Sequence, residues 1–297
     1  MSRKPGKPAG RTAKLSRRPS GAKPASVKKA SVKKTGANVT QGKRVGATRG
    51  GAPGDVGAII ASLKQLGSSR YRDDMFNRYG IKGKTAEAAL GVPVGKLQQV
   101  AKTLRTRDPA FNHALAEALW EWGGGQYEAR MLASFVDEPS LVTEKQMDRW
   151  TKAFDNWGIC DTVCFKLFDR VPAELAFSKI EQWSRSEREF VKRAAFALLA
   201  SLGAHDKKSG DEPFAKCLPL IERAAEDDRN FVKKGVSWAL RVVGRRSPGL
   251  HASAVAMATR LAASEAPGAR WVGKDAARDL GRAAAKKHLA ARAARSA

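Results

Sequence analysis

The sequence predicts an all-α fold, a curved α-solenoid of short helical repeats that follows a disordered, basic N-terminal tail. Residues 190–203 (FVKRAAFALLASLG) are repeated 41 positions later, as residues 231–244 (FVKKGVSWALRVVG). Helical units that recur every thirty to forty residues are the signature of an α-solenoid. From residue 55 onward no strand alternation is present, and Ala, Leu, Lys, Arg and Glu dominate the composition, as they do in helices.

The first 54 residues form the predicted tail. They contain 15 Lys and Arg and no acidic residue, whereas the remainder holds 40 cationic and 29 acidic residues. The tail has few apolar side chains, so ordering it would cost entropy without burying surface. We expect it to be disordered and to bind nucleic acid without sequence preference by neutralising phosphates. A solubilising or ribosome-associated tail is the alternative. The solenoid is predicted to span residues 55–297.

Composition excludes several classes of protein. No run of 18 apolar residues is present, so we expect no transmembrane helix and no membrane partner. No apolar segment follows the basic N-terminus, which excludes a secretory signal, although an organellar transit peptide stays open. Three cysteines without a CxxC motif and four scattered histidines predict neither a disulfide framework nor a metal site. We therefore expect a cytoplasmic, nucleoid-associated monomer without a cofactor.

Short turn signals rich in Gly, Pro, Ser and Asp divide the body into segments of mostly 10–18 residues. Such lengths suit pairs of short antiparallel helices. Each helix alone has a narrow apolar stripe, so its stability must come from stacking on its neighbours. A curved stack has a concave face, and in a basic protein we expect that face to accept a nucleic-acid duplex.

The repeated helices place cations in equivalent positions. Arg193 of the first copy matches Lys234 of the second, and Arg130 takes this position in a looser copy, residues 127–136 (YEARMLASFV). Alanines continue the register of Arg193, which predicts a shallow groove beside the guanidinium. Cations on such a stripe suit phosphate groups.

The second copy adds an aromatic residue to its basic stripe. The spacing i, i+4, i+7, i+11 puts four residues on one helix face: Lys234, Trp238, Arg241 and Arg245. An indole among cations can pack against a sugar or a base. For a single tryptophan in an all-helical protein, a place in the core is the alternative.

One carboxylate, Asp161, takes a position that the other repeats fill with a cation. It lies in residues 155–168 (DNWGICDTVCFKLF), four residues after Trp157, so that the indole and the carboxylate share a helix face. No cation stands three or four residues away in its own helix, so we expect an unpaired carboxylate on a basic surface. Its alternative role is a helix cap or a dipole partner.

Three segments carry a resemblance to a known family: MDRWTKAFDNWGICDTVC, FVKRAAFALL and FVKKGVSWALR. Over roughly residues 68–280 the chain resembles the DNA alkylation repair family, the HEAT-like alkylpurine DNA glycosylases. The resemblance implies a solenoid of HEAT-like repeats and assigns functional positions to Trp157, Asp161, Arg193 and Trp238. Tyr79 or Tyr71 is a weaker candidate for an N-terminal aromatic contact. Some members have two adjacent tryptophans and an extra acid where this chain has Asn-Trp-Gly.

The resemblance implies a monofunctional DNA glycosylase that excises positively charged N3- or N7-alkylated purines from double-stranded DNA. Asp161 would stabilise the cationic sugar and position water, with Trp157 and Trp238 against the ribose. Arg193 would hold the neighbouring phosphate, and the remaining cations (Arg130, Lys234, Arg241 and Arg245) would bind the DNA backbone. The alternative is a non-catalytic HEAT-like protein with a DNA-binding or structural role.

Overall fold

The computed structural model describes residues 55–282. The predicted disorder of residues 1–54, and residues 283–297, lie outside the described residues. Within the described part, fourteen α-helices and no strand are present, which confirms the predicted all-α class. The helices are α1 Val56–Leu66, α2 Ser69–Asn77, α3 Lys84–Glu87, α4 Val94–Leu104, α5 Pro109–Glu121, α6 Tyr127–Val136, α7 Glu144–Lys152, α8 Trp157–Lys166, α9 Ala173–Ser184, α10 Glu189–His205, α11 Glu212–Ala224, α12 Asn230–Val243, α13 Pro248–Ala262 and α14 Pro267–Leu280.

Ten of the fourteen helices form two layers. In one layer, α4, α6, α8, α10, α12 and α14 each contact the next in the series. In the other, α5 packs on α6, α9 on α10, α11 on α12 and α13 on α14. Because each pair contacts mainly its neighbouring pairs, the stack has the architecture of a solenoid of two-helix repeats.

Side chains fix the starts of several helices. Thr143 caps α7, Asn156 caps α8 and Ser247 caps α13, each accepting a hydrogen bond from a backbone N–H of the first turn. Such caps satisfy donors that the helix itself leaves free. Within the described chain, no helix combines the length and the apolar character needed to cross a membrane.

Helix α10 is enclosed over its central turns. It contacts α8, α9 and α12, and every residue from Ala194 to Ala200 is fully buried. The predicted groove of alanines beside Arg193 is therefore wrong. The small side chains instead let α8 and α12 approach α10 closely, because alanine adds little bulk between packed helices.

Candidate functional site

Four neighbouring helices of one layer, α8, α10, α12 and α14, line an open cleft of about 400 Å³. Seven residues form its walls: Asp161, Arg193, Lys234, Trp238, Arg241, Trp271 and Asp275. The first five were predicted as site residues from the sequence, and the structure brings them together. Trp157, Arg130 and Arg245 lie outside this lining.

Asp161 and Arg193 form a two-pronged ion pair between α8 and α10. Arg193 Nε donates to Asp161 Oδ1 at 2.8 Å, and Nη2 donates to Oδ2 at 2.7 Å. The side chain of Asp161 is 20% exposed and that of Arg193 is 8% exposed. The expectation of an unpaired Asp161 is therefore wrong, because its partner comes from the next repeat, 32 residues away, and not from its own helix.

Burial and pairing act on Asp161 in opposite directions. Burial raises the pKa of the Asp161 carboxyl above its ordinary value, and the Arg193 guanidinium lowers it by a smaller amount. Burial lowers the pKa of the Arg193 guanidinium, whereas the charge and the hydrogen bonds of Asp161 raise it, and the net direction is upward. A bidentate pair of this kind fixes the direction of both carboxylate oxygens.

The third nitrogen of Arg193 is also engaged. Nη1 donates to the carbonyl oxygen of Phe231 at 2.6 Å, and the guanidinium lies 6.0 Å from the centre of the Phe231 ring. Each of the three nitrogens therefore donates to the protein itself. Arg193 ties the first residues of α12 to the carboxylate on α8.

The start of α8 is anchored to the N-terminal helices. Asn156 accepts from the backbone N–H of Ile159 at 3.0 Å and donates to Thr85 Oγ1 at 2.8 Å. The carboxylate of Asp155 accepts from the backbone N–H of Thr85 at 2.9 Å. The Asp-Asn pair before Trp157 thus docks the helix that carries Asp161 onto α3.

Trp157 lies one turn before Asp161 on the same face of α8. Its indole is half-buried, and Nε1 donates to the carbonyl oxygen of Tyr79 at 3.2 Å. Tyr79 itself is 42% exposed. The Trp157 indole is therefore bonded to the backbone of Tyr79, another aromatic residue that the resemblance named. Phe165, half-buried, continues this face after Asp161, whereas Cys164 is buried against α10.

Helix α12 presents the predicted basic stripe with its indole. Trp238 is half-buried and stacks on Phe165 of α8, with ring centroids 6.1 Å apart. Lys234 is exposed, and among residues 55–282 it has no hydrogen-bond or ion-pair partner. Arg241 lies 3.8 Å from Asp275 and donates to its own helix at the carbonyl oxygen of Ser237. The ammonium of Lys234 is therefore available to a ligand.

Two predicted cations lie elsewhere. Arg130 is buried under the ring of Trp120, 4.8 Å from its centre, and donates to the carbonyl oxygen of Ala153 at 2.9 Å. Arg245 pairs with Asp279 of α14. A role of either residue in DNA binding stays a prediction.

Sequence reasoning missed the α14 wall of the cleft, which consists of Trp271 and Asp275. Helix α12 begins 41 residues after α10, at Glu189 and Asn230, but α14 begins at Pro267, only 37 residues later. A search at the 41-residue spacing therefore misaligns the last repeat. At a spacing of 37, Trp271 takes the position of Lys234, and Asp275 takes that of Trp238.

A stack of helical pairs with a paired carboxylate, two indoles and a free ammonium in one cleft defines a HEAT-like repeat protein with a polar, aromatic binding site. More particularly, the chain belongs to the family described as DNA alkylation repair enzyme, whose model matches residues 59–280. The family assignment confirms the resemblance and extends it to α1.

A solved structure is similar to this chain, with a TM-score of 0.58 and 21% sequence identity. It is described as "A new family of proteins related to the HEAT-like repeat DNA glycosylases with affinity for branched DNA structures". The match covers 69% of this chain and 82% of that one. At this identity the likeness establishes the HEAT-like fold. No curated protein matches the chain.

Proposed function

We propose that this protein is a monofunctional DNA glycosylase that excises positively charged N3- or N7-alkylated purines from duplex DNA. One observation carries the proposal: a carboxylate, Asp161, is fixed in direction at an open cleft whose other walls supply indoles and cations. This combination suits a sugar that becomes cationic next to a phosphate backbone.

The chemistry makes few demands on the protein. An N3- or N7-alkylated purine carries a formal positive charge, so the electron pair of the C1′–N bond leaves with the base and neutralises it. Water then adds to C1′ and loses a proton. No general acid is needed for the leaving group. The protein must stabilise the developing sugar cation, and a carboxylate does so electrostatically.

The electrostatic energy of the carboxylate is large enough to accelerate the reaction substantially. A full negative charge about 4 Å from the sugar is worth about 4 kcal/mol at an effective dielectric constant near 20. That energy corresponds to roughly a thousandfold in rate. Because Arg193 pairs with Asp161, its positive charge offsets part of this field, and the thousandfold factor is an upper bound.

In this proposal Arg193 is a positioning residue. It holds both oxygens of Asp161 in one orientation. Because the carboxylate is already oriented, the reaction does not have to pay the entropy cost of orienting it. The cations left to bind phosphates are then Lys234 and Arg241, which line the same cleft. Indole faces supply contacts to the deoxyribose, through Trp238 and, one turn before Asp161, Trp157.

Among residues 55–282, Lys234 is the only lysine that lines the cleft, and strand cleavage by a lyase would need an amine nucleophile there. Lysine nucleophiles are activated by desolvation or by crowded cations. Lys234 is exposed, which favours a role as a phosphate contact. We therefore expect excision to leave an intact abasic strand, and borohydride to trap no covalent complex between protein and DNA.

A second function is favoured by the ion pair itself. If the positive charge of Arg193 fully neutralises the negative charge of Asp161, no net negative charge is left to stabilise the sugar cation. The cleft would then bind DNA without cleaving the glycosidic bond. The similar solved structure, described as having affinity for branched DNA structures, points the same way. Under this alternative the protein would be a non-catalytic HEAT-like DNA-binding protein.

Two assays on the wild-type protein separate these functions. Incubation with duplex DNA methylated at N7 of guanine, followed by chromatography of the free bases, should release 7-methylguanine, and undamaged duplex should release none. In parallel, binding is measured to a linear duplex and to a four-way junction of the same length. Junction binding without base release would overturn the glycosylase proposal in favour of the alternative. Failure to bind any DNA would overturn both.

A further inference from the structure

Trp271 is an exposed indole at the α14 wall of the cleft. Its side chain is 37% exposed, although a tryptophan in a helical stack is ordinarily covered on most sides. It lines the same cleft as Trp238 and Asp161. The proposed excision gives this indole no role.

The surroundings of Trp271 are cationic. The Lys233 ammonium, which also pairs with Asp228, lies 5.8 Å from the centre of its ring. The unpaired Lys234 lines the same cleft, as does Arg241, which lies 3.8 Å from Asp275. An apolar residue that anchors a protein partner is ordinarily surrounded by a patch depleted of charge. An aromatic face set among lysines and arginines is instead the arrangement that binds nucleic-acid strands, in which cations follow the backbone and rings stack on bases.

Helix α14 holds this indole firmly. One turn after Trp271, the carboxylate of Asp275 accepts a hydrogen bond of 2.6 Å from Ser237 Oγ of α12. The next turn of α14 pairs Asp279 with Arg245, also of α12. A ring presented from a helix that is bonded to its neighbour loses little entropy when it binds, so stacking on it is favourable.

We propose that Trp271 stacks on an unpaired nucleobase of the bound DNA, next to the nucleotide that faces Asp161. The inference rests on the proposed DNA binding but not on base excision. Stacking on the indole needs a base that is not already stacked between neighbouring bases of the duplex. The indole therefore raises affinity for DNA with an unpaired base over continuous duplex, while Lys234 and Arg241 raise affinity for both.

The test compares dissociation constants for a linear duplex and for the same duplex carrying one extrahelical adenine. The wild-type protein should prefer the bulged DNA by about tenfold, the range expected for one aromatic–base stack. Trp271→Ala should lose that preference and keep its affinity for linear duplex, and Trp271→Phe should retain part of it. Trp122→Ala is the matched control, because Trp122 is 38% exposed, lies outside the cleft lining and is expected to leave the preference unchanged.

Salt dependence distinguishes the indole from the cations. Trp271→Ala should leave the slope of log affinity against log salt unchanged, whereas Lys234→Ala should reduce it by about one, because one phosphate contact is lost. The inference is overturned if the wild type shows no preference for the bulge, or if Trp271→Ala keeps it. Failure of the wild type to bind either DNA would instead remove the proposed function on which the inference rests.

Discussion

At the scale of single residues, the Asp161–Arg193 pair decides how the cleft works. A carboxylate without a partner would act through its charge alone, and its removal would leave folding untouched. The pair couples the charge to the stability of the stack, because Arg193 is buried and ties α8 to both α10 and α12. Chemistry and folding therefore share one interaction.

Asp161→Asn should lower the free energy of unfolding by about 1–3 kcal/mol, because it leaves a buried guanidinium without its charged partner. Chemical denaturation measures this loss. In a double-mutant cycle with Arg193→Met, the double variant should lose less stability than the two single variants together. Strictly additive losses would mean that the two side chains do not interact in solution.

The pH dependence of excision follows from the raised pKa of Asp161. The reaction needs the carboxylate, so the rate falls as pH decreases through that pKa, and this acid limb should lie above the ordinary range for aspartate. Arg193→Met removes the charge that lowers the pKa and should move the limb to still higher pH. Lys234→Met is the control: it removes a cleft cation that makes no hydrogen bond to Asp161 and should shift the acid limb less than Arg193→Met does. Single-turnover rates measured across pH test this difference, and equal shifts of the limb in both variants would contradict it.

At the scale of elements, the docking of α8 places the carboxylate. Asn156 caps the helix and bonds to Thr85, and Asp155 bonds to the same threonine. The Asp-Asn pair before Trp157 therefore has a structural role. In the same segment the sequence had pointed only to Trp157 and Asp161 as functional residues. Partners such as Thr85 lie some 70 residues away in the chain, so no local pattern reveals them.

Asn156→Ala should cost about 1 kcal/mol of stability through the lost cap and should also slow excision, because α8 loses its anchor to α3. Ser247→Ala is the matched control. It removes the cap of α13, which contributes no residue to the cleft, and should cost similar stability without slowing excision. Thermal melts and single-turnover rates measure the two effects. Equal rates in both variants would show that the anchor has no part in placing Asp161.

Helices α10 and α14 show where sequence patterns fail at this scale. The repeat at 41 residues correctly predicted that α10 and α12 are equivalent, since both begin at the same point of their copies. It could not predict that α10 is covered on three sides, because a stripe of alanines suits either a groove or close packing. It also missed α14, since the shorter spacing of the last repeat shifts the register.

At the scale of the whole molecule, the all-α class, the repeat architecture and the family were predictable, because helical periodicity and repeats are properties of the sequence itself. Five of the seven cleft residues were also predicted. The pairing of Asp161 with Arg193 was not, because contacts between repeats depend on the angle at which neighbouring helices pack. A search of one helix for its own cations cannot find a partner in another.

The basic segment of residues 1–54 should add affinity without adding catalysis. Its 15 cations and lack of acids predict nonspecific phosphate contacts. Deletion should weaken binding to undamaged duplex and flatten the salt dependence, with excision at saturating enzyme unchanged. A variant that keeps the length but replaces these cations with Gln should behave like the deletion. Wild-type affinity at all salt concentrations in either protein would contradict this.

The single-turnover rate of 7-methylguanine release from methylated duplex tests the role of Asp161 most directly. Wild type, Asp161→Asn and Asp275→Asn are compared at enzyme concentrations that saturate the DNA. Both variants remove a carboxylate from the same cleft, but only Asp161 is held by Arg193. We expect Asp161→Asn to be slower by about a hundredfold or more, within the electrostatic bound, and Asp275→Asn to stay within a few-fold of wild type. Release by Asp161→Asn at the wild-type rate would remove Asp161 from the mechanism.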